Sequence, residues 1–264
     1  MSLPQTHRLG ELSWTQVKEL AATDPIVLLP IGAVEQHGPH LPIHEDSIVA
    51  EWVADRLADE NGVYVAPALH YGHSGTFRGY NGNLSLSQAT LRNVTYEILE
   101  ALVQSGFRRI IIVNNNGGNV GPVTGAALDA RRDFGILVGH LYPWQLGYAL
   151  MRDVYDDPAT AYGHGAEPEH SAMLAMFPEQ VQTDLAVAGG LESPSGWSPT
   201  SYTETAIPGF GVPGTVFWDF SEVSPTGCTG DVSLGNADTG QIWIKRVLAF
   251  CSAYIREYDK NTAA

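Results

Sequence analysis

Residues 31–47, IGAVEQHGPHLPIHEDS, hold three histidines and three acids in a short stretch. Imidazole nitrogens and carboxylate oxygens are ligands that Zn²⁺, Mn²⁺ and Fe²⁺ accept in proteins. In an extended chain the side chains of Glu35 and His37 point to the same side, because successive side chains alternate. Asp46 is close enough in sequence to return to the same place. The pattern predicts a divalent metal site, and the alternative is an exposed loop that ends in a helix-capping acid.

Two later segments also carry reactive side chains. Residues 114–119, NNNGGN, contain glycines that permit a tight turn, but they lack the G-x-G-x-x-G spacing or the lysine of a nucleotide-binding loop. Residues 163–179 contain Glu169, which starts a predicted helix and could serve only its dipole. His164 lies upstream among glycines, a position that suits a proton-transfer residue but also an ordinary exposed histidine.

These segments follow or adjoin elements that must position them. Short, almost continuously apolar runs predict buried parallel strands at residues 26–32, 63–68, 109–115 and 135–142. Apolar residues at helical spacing predict helices at residues 46–60, 87–105, 119–132, 168–176 and 237–258. Strand–helix alternation indicates an α/β fold with a mostly parallel central sheet and helices on both sides. Ligand sites in such sheets lie beyond the carboxyl ends of the strands.

The remaining part of the chain, residues 177–235, is rich in Gly, Pro, Ser and Thr, and we expect long loops with at most a short hairpin. Within it, residues 189–232 carry several aromatic side chains, for which subunit contact is the first interpretation and a pocket lid the second. Trp144 follows the fourth strand and either faces the pocket or packs in the core.

Composition narrows the class of protein. The 264 residues are 44% hydrophobic and 16% charged, which is enough for one sizeable core, so we expect a single domain over 1–264. A formal net charge of −15 argues against nucleic acid and against an anionic membrane surface as partners. The only cysteines, Cys228 and Cys251, form no disulfide framework. With no apolar leader or bilayer-length run, we expect a cytoplasmic protein.

Four blocks, in order over roughly residues 26–180, resemble the creatininase (creatinine amidohydrolase) family of metal-dependent hydrolases. LLPIGAVEQHGPHLPIHEDSIVA resembles its first metal motif, in which E-Q-H-G-P-H-L-P is followed closely by a metal-bridging Asp. YGHSGTFRGYNGNLSLS is similar to its Y-G-x-S…L-S-L block, IIIVNNNGGN to its N-G-H-G-G-N strand end, and GHGAEPEHSAMLAMFPE to its G-H-A-G…E-T-S block.

The resemblance implies a three-layer α/β/α sandwich, a homohexamer, and one or two divalent metals per subunit, with zinc, manganese or iron as the candidates. It implies that the metal ligands are Glu35, His37, Asp46 and Glu169, with Asp46 as the bridge where two metals bind. It further implies that His164 faces the substrate and that Ser74 lines the pocket. His164 or Glu169 would then move the proton to the leaving group.

The chain departs from the family pattern at the pocket. Asn116 replaces the metal-binding His of N-G-H-G-G-N, so one metal site is expected to be altered, weaker or lost, and its amide becomes a candidate for substrate binding. Phe77 replaces a His found in many relatives, and Asn81 and Asn83 replace Pro and Thr. We therefore expect a hydrolase of a small cyclic amide or related carbon–nitrogen bond, with creatinine not assumed. The alternatives are a cyclic sugar ketone, a formamide or a peptide as substrate, or a non-catalytic metal-binding homologue.

Overall fold

The structure, a computed structural model that describes residues 6–263, contains a central sheet of four parallel strands. The strands are β1 (Ile26–Ile31), β2 (Tyr64–Val65), β3 (Arg109–Asn114) and β4 (Val138–Leu141), in the order β2-β1-β3-β4. Ile31 of β1 pairs with Asn114 of β3. The polar segments that follow these two strands therefore leave the sheet side by side, and the predicted α/β class is confirmed.

Helices surround this sheet. They are α1 (Trp14–Ala21), α2 (Glu45–Asn61), α3 (Gln88–Gln104), α4 (Val120–Phe134), α5 (Pro143–Leu150), α6 (Pro158–Ala161), α7 (Glu169–Met176) and α8 (Ala237–Thr262). Two helix starts show clear capping chemistry: the Ser87 side chain accepts from the Thr90 N–H and the Asn236 side chain from the Thr239 N–H.

The three layers follow from the alternation of side chains along β1. Ile26 and Leu28 belong to an apolar cluster with residues of α2, α7 and α8, whereas Val27, Leu29 and Ile31 belong to a second cluster with residues of α3 and α4. Because the side chains of each strand pack on both faces of the sheet, the strands are apolar at almost every position.

The structure differs from the predicted elements in a few places. The second strand has only two residues, since Pro67 has no N–H to donate, although the Ala66 and Leu69 amides still donate to β1. The fourth strand begins only at Val138, because Gly135 ends α4 in a left-handed conformation with φ 70°. The short helices α1, α5 and α6 were not predicted.

The predicted loop region is largely irregular, with a small hairpin of β5 (Glu204–Thr205) and β6 (Gly214–Thr215). Cys228 and Cys251 are buried free thiols. Across residues 6–263, the helices are too short or too polar for any of them to cross a bilayer. The expectation of no leader falls partly on residues 1–5, which lie outside the described residues.

Candidate functional site

A cavity of about 550 Å³ opens beyond the carboxyl ends of β1 and β3. Every site residue predicted from the sequence lies on its wall: Glu35, His37, Asp46, Ser74, Asn116, Trp144, His164 and Glu169. The structure thus brings together segments that are far apart in the chain, at the place expected for an open α/β sheet.

Close packing of α2 against the exit of β1 places Asp46 beside Glu35 and His37. A Cβ atom on Gly32 would lie 2.3 Å from the Cα of Ser47, so only glycine permits this approach. The Ser47 hydroxyl then donates to the Ala33 carbonyl oxygen at 3.0 Å. The loop between β1 and α2 is therefore fixed at both ends.

His37 lies close to both acidic residues predicted as ligands in the first motif. The Nε2 atom of His37 lies 3.6 Å from Asp46 Oδ1 and 3.9 Å from Glu35 Oε1. Nitrogen and oxygen ligands lie about 2.0–2.2 Å from zinc, so a shared ion holds its ligand atoms at most about 4.4 Å apart. Both separations from His37 are compatible with a shared ion, whereas Asp46 lies outside the group of mutually close ligand atoms formed by Glu35, His37 and His164.

His164 also reaches this cluster. One potential metal-ligand atom from each of Glu35, His37 and His164 lies within 4.8 Å of the other two. The His164 ring stacks between His37 and Phe77, with centroid distances of 4.5 Å on each side. Gly165 permits this position, because its φ is +68° and a Cβ there would lie 2.6 Å from the His37 carbonyl oxygen.

The proton on the His164 ring can be assigned from its hydrogen bond. Nε2 lies 2.5 Å from the Gln36 carbonyl oxygen, and a carbonyl only accepts, so Nε2 carries the proton and donates. Burial lowers the pKa of His164 to about 4. The ring is neutral near pH 7, and its Nδ1 retains a lone pair that can accept a proton.

Glu169 lies on the wall at the start of α7, but it is outside the group of mutually close donor atoms formed by Glu35, His37 and His164. The Tyr148 hydroxyl donates to Glu169 Oε1 at 3.0 Å, and the Gly165 N–H donates to Oε2 at 2.8 Å. Its role as a ligand remains a prediction. The two donors hold its carboxylate in one orientation.

Asn116 makes contacts that differ from those of a metal ligand. Its side-chain oxygen accepts from the Gly118 N–H at 2.7 Å, which is a local turn, and its amide nitrogen donates to Glu35 Oε2 at 3.3 Å. The residue therefore presents a donor, and not a lone pair, to the acidic cluster. Ser74 faces the same cavity, and its buried hydroxyl has no hydrogen-bond partner among residues 6–263.

Trp144 both faces the cavity and packs in the core. Its indole N–H donates to Asp46 Oδ1 at 2.9 Å, while its ring lies 5.1 Å from that of Trp243. The sequence leaves open whether Trp144 faces the pocket or packs in the core, and its side chain does both.

The electrostatics of the cavity favour a cation. Glu35, Asp46 and Glu169 are at most 4% exposed, and none of the described residues that line the cavity is Lys or Arg. Burial, reinforced by the charge of Glu169, raises the pKa of Glu35 to about 8, and burial raises that of Glu169 to about 7. Burial and the charge of Glu35 raise the pKa of Asp46 well above its ordinary value.

Buried acids of this kind are costly without a compensating charge. Asp46 Oδ2 is buried without a hydrogen-bond partner among the described residues. A set of two carboxylates and an imidazole that lacks a cationic side chain fits a divalent ion.

Sequence reasoning missed four ring-bearing residues on the cavity wall: His73, Tyr142, Tyr148 and Tyr162. Tyr148 follows Trp144 by one helical turn, so recognition of α5 would have placed both on one face. His73, treated as a structural or surface residue, is half-buried on the wall, with Nδ1 2.8 Å from the Leu86 carbonyl oxygen. No local pattern marks Tyr162 as a residue of the cavity wall.

The aromatic residues of 189–232 have different surroundings. Tyr202 and Phe217 line the cavity, and Phe220 is buried against Phe77. Phe210 is 71% exposed. The structure therefore places part of this segment over the cavity, while the expected subunit contact stays a prediction.

Comparison with known proteins connects this geometry to a family. The family model described as Creatininase: Creatinine amidohydrolase matches residues 10–255. The creatinine amidohydrolase of Pseudomonas putida is 31% identical over 195 residues, which cover 68% of this chain and 75% of that protein. A mycofactocin precursor peptide peptidase from Mycobacterium ulcerans (strain Agy99) is 27% identical over 259 residues, 95% of this chain and 92% of that protein.

Two further findings extend the likeness. The 3-dehydro-scyllo-inosose hydrolase of Thermotoga maritima is 22% identical over 263 residues, with 93% of this chain and 81% of that protein covered. Solved structures of a manganese creatininase and of a mutant creatininase of Zn-Zn type each superpose with a TM-score of 0.77 at 25% identity, over 96% of this chain and 98% of theirs.

Proposed function

Since the chain belongs to the creatininase family and is a metal-dependent hydrolase, we propose that it hydrolyses a small cyclic amide or a related carbon–nitrogen bond. The proposed metal is zinc, manganese or iron. One observation carries the proposal: His37 Nε2 lies within 3.9 Å of both the Glu35 and the Asp46 carboxylates, at the floor of a cavity without Lys or Arg among its described lining residues.

The chemistry of such a site is divided between ion and protein. A bound divalent ion lowers the pKa of a coordinated water towards neutrality and polarises a carbonyl group. Glu35, His37 and Asp46 hold the ion in this proposal, and Trp144 orients Asp46 through its indole N–H. The Phe77 and Trp144 rings form apolar parts of the wall and exclude bulk water from the acids.

Proton movement falls to His164 and Glu169. Neutral His164 accepts a proton at Nδ1, because its Nε2 already donates to the Gln36 carbonyl. Glu169, with a pKa raised to about 7, holds or releases a proton near neutral pH, where a general acid–base group works best. Tyr148 keeps that carboxylate turned in one direction.

Removal and restoration of metal test this proposal. The chelated protein should lose ring-opening activity towards cyclic amides and regain it with added Zn²⁺, Mn²⁺ or Fe²⁺. Asp46→Ala should abolish activity, while Asp156→Ala, the same change at an exposed loop acid, should not. Activity that survives thorough chelation, or that survives Asp46→Ala, would contradict the metal mechanism.

A second candidate substrate is a cyclic sugar ketone. The outer wall of the cavity carries hydroxyl side chains, which suit a neutral polyol: Thr76, Thr200, Ser201, Tyr202, Thr203 and Thr229. The similarity to the inosose hydrolase also supports a cyclic sugar ketone as substrate.

A substrate panel separates the two candidates. Cyclic amides, formamides, short peptides and cyclic sugar ketones would be compared by kcat/KM. Ser201→Ala and Thr203→Val should raise KM for a polyol ketone and leave a small cyclic amide unaffected. Turnover of creatinine alone, with the rest of the panel refused, would remove the sugar ketone.

We further propose a homohexamer located in the cytoplasm. The family resemblance supports the assembly, and the free buried thiols of Cys228 and Cys251 suit a reducing compartment. Light scattering coupled to size exclusion tests the assembly, and a monomer at micromolar concentration would contradict it.

A further inference from the structure

Glu45 is a buried acid that the proposed mechanism does not use. It starts α2, directly before Asp46, and its exposure is 0%. Neither carboxylate oxygen has a hydrogen-bond partner among residues 6–263. Within that range its single recorded ion-pair neighbour is His37, whose Nδ1 lies 3.9 Å from Glu45 Oε2. A buried carboxylate without donors is unfavourable, so this position calls for a partner.

The His37 ring presents its two nitrogens to different groups. Nε2 faces Asp46 and Glu35 at 3.6 and 3.9 Å, which makes it the nitrogen for the metal. Nδ1 faces Glu45 and is buried without a hydrogen-bond partner among the described residues. When Nε2 gives its lone pair to an ion, the neutral ring must carry its proton on Nδ1.

We propose that Glu45 is a positioning residue that accepts the Nδ1–H of His37 and thereby holds Nε2 towards the metal. The proposal rests on the metal-dependent function above. The present separation of 3.9 Å between Nδ1 and Oε2 must shorten to about 2.8 Å to form this charge-assisted hydrogen bond. Carboxylates behind a metal-bound histidine fix its tautomer and ring orientation and raise its basicity, and their loss lowers metal affinity about 10- to 100-fold.

Two other roles for Glu45 make different predictions. An acid in the first turn of a helix also interacts with the helix dipole, in which case its loss lowers stability and leaves metal affinity unchanged. In the other role, the acceptor for the His37 ring is the Glu35 backbone, since a hydrogen bond to that backbone raises the pKa of His37 against the larger effect of burial; in that case the Nδ1–H survives the loss of Glu45.

The test compares Glu45→Gln and Glu45→Ala with the wild-type chain. Binding of Zn²⁺ and Mn²⁺ is measured by calorimetry, and the protonation of each ring nitrogen by ¹⁵N NMR of histidine-labelled, zinc-loaded protein. Glu45→Ala should weaken metal binding about 10- to 100-fold and remove the protected Nδ1–H signal of His37. Glu45→Gln keeps a neutral acceptor of the same shape, so it should retain the signal and lose less affinity.

Glu167→Gln is the matched control for the loss of a buried acid. Glu167 is also 0% exposed, but its oxygen accepts from the Tyr155 hydroxyl and has no recorded contact with His37. This variant should change the melting temperature without the change in metal affinity or in the His37 signal.

Several outcomes overturn the proposal. Metal affinity of folded Glu45→Ala within threefold of wild type would do so, as would an unchanged His37 Nδ1–H signal. If Glu45→Ala does not fold, metal affinity of Glu45→Gln equal to that of wild type has the same consequence, whether or not the His37 signal is retained. If the metal and NMR results hold but no substrate is turned over, the proposed function fails and the positioning role stands.

Discussion

The hydrogen bond from Trp144 to Asp46 allows a quantitative test of the metal site. The indole N–H donates to Asp46 Oδ1 at 2.9 Å, and the other oxygen, Oδ2, has no partner among residues 6–263. Trp144→Phe keeps an aromatic ring and removes this donor. Hydrogen bonds to charged groups contribute about 1.5–3 kcal/mol.

The expected loss follows from that range. Because about 1.4 kcal/mol corresponds to a factor of ten in affinity, Trp144→Phe should weaken Zn²⁺ or Mn²⁺ binding about 10- to 150-fold if the bond is needed to hold the ligand oxygen. Calorimetric titration of metal-free protein at constant pH measures this change. Activity is not required, so the result does not depend on knowledge of the substrate.

Trp243 provides the matched control. It is fully buried, its ring lies 5.1 Å from that of Trp144, and its indole N–H has no partner among the described residues. Trp243→Phe therefore removes the same atoms from the same cluster without loss of a hydrogen bond. Both variants should unfold at lower temperature, but only Trp144→Phe should bind metal more weakly. Equal effects on affinity, or an effect below threefold for Trp144→Phe, would refute the reasoning.

Three further predictions concern the same region. Asn116→His places an imidazole beside Glu35, so we expect extra metal per chain by elemental analysis, and unchanged stoichiometry would contradict a role for Asn116 in limiting metal content. Burial raises the pKa of Glu35 from 4.5 to about 8 without metal, so the folded state binds the extra proton; above pH 6.5, where the buried His164 is mostly neutral in both states, the melting temperature of metal-free protein should fall as pH rises to 8, and a rising melting temperature would contradict this. Gly32→Ala should destabilise the fold by about 1–3 kcal/mol in denaturant unfolding, because its Cβ meets Ser47. Gly121→Ala is the control: its added Cβ has no neighbouring atom within 4 Å, so the free energy of unfolding should not decrease.

Most of the sheet and the long helices could be predicted from apolar periodicity, because strands buried on both faces and helices of several turns leave unambiguous patterns. The short helices could not. α5 has eight residues and contains Gly147, and α6 has four, which is too little chain for a clear period. The second strand was predicted too long because Pro67 interrupts its hydrogen bonds although the residues around it remain apolar.

The residues of the candidate site likewise differ in whether a local sequence pattern reveals them. Glu35, His37 and Asp46 could be grouped because they lie at a strand exit within one short stretch. For Tyr202 the sequence leaves subunit contact and a pocket lid open, and Glu45 could not be assigned, since the position of each side chain depends on packing between segments. Nothing in the local sequence distinguishes Glu45, buried behind His37, from an ordinary exposed acid at a helix start.

The charge of the cavity connects the metal to the choice of substrate. If Glu35, Asp46 and Glu169 are ionised together with Glu45, which lies behind His37, one divalent ion leaves two negative charges uncompensated, and no Lys or Arg among the described lining residues offsets them. Anionic substrates are then repelled, while a neutral carbonyl compound is not. Replacement of a histidine by Asn116 removes a ligand without change of charge. A cavity with one ion therefore favours neutral amides or ketones, whereas a second ion would bring the sum of these charges to zero and remove the repulsion of anions.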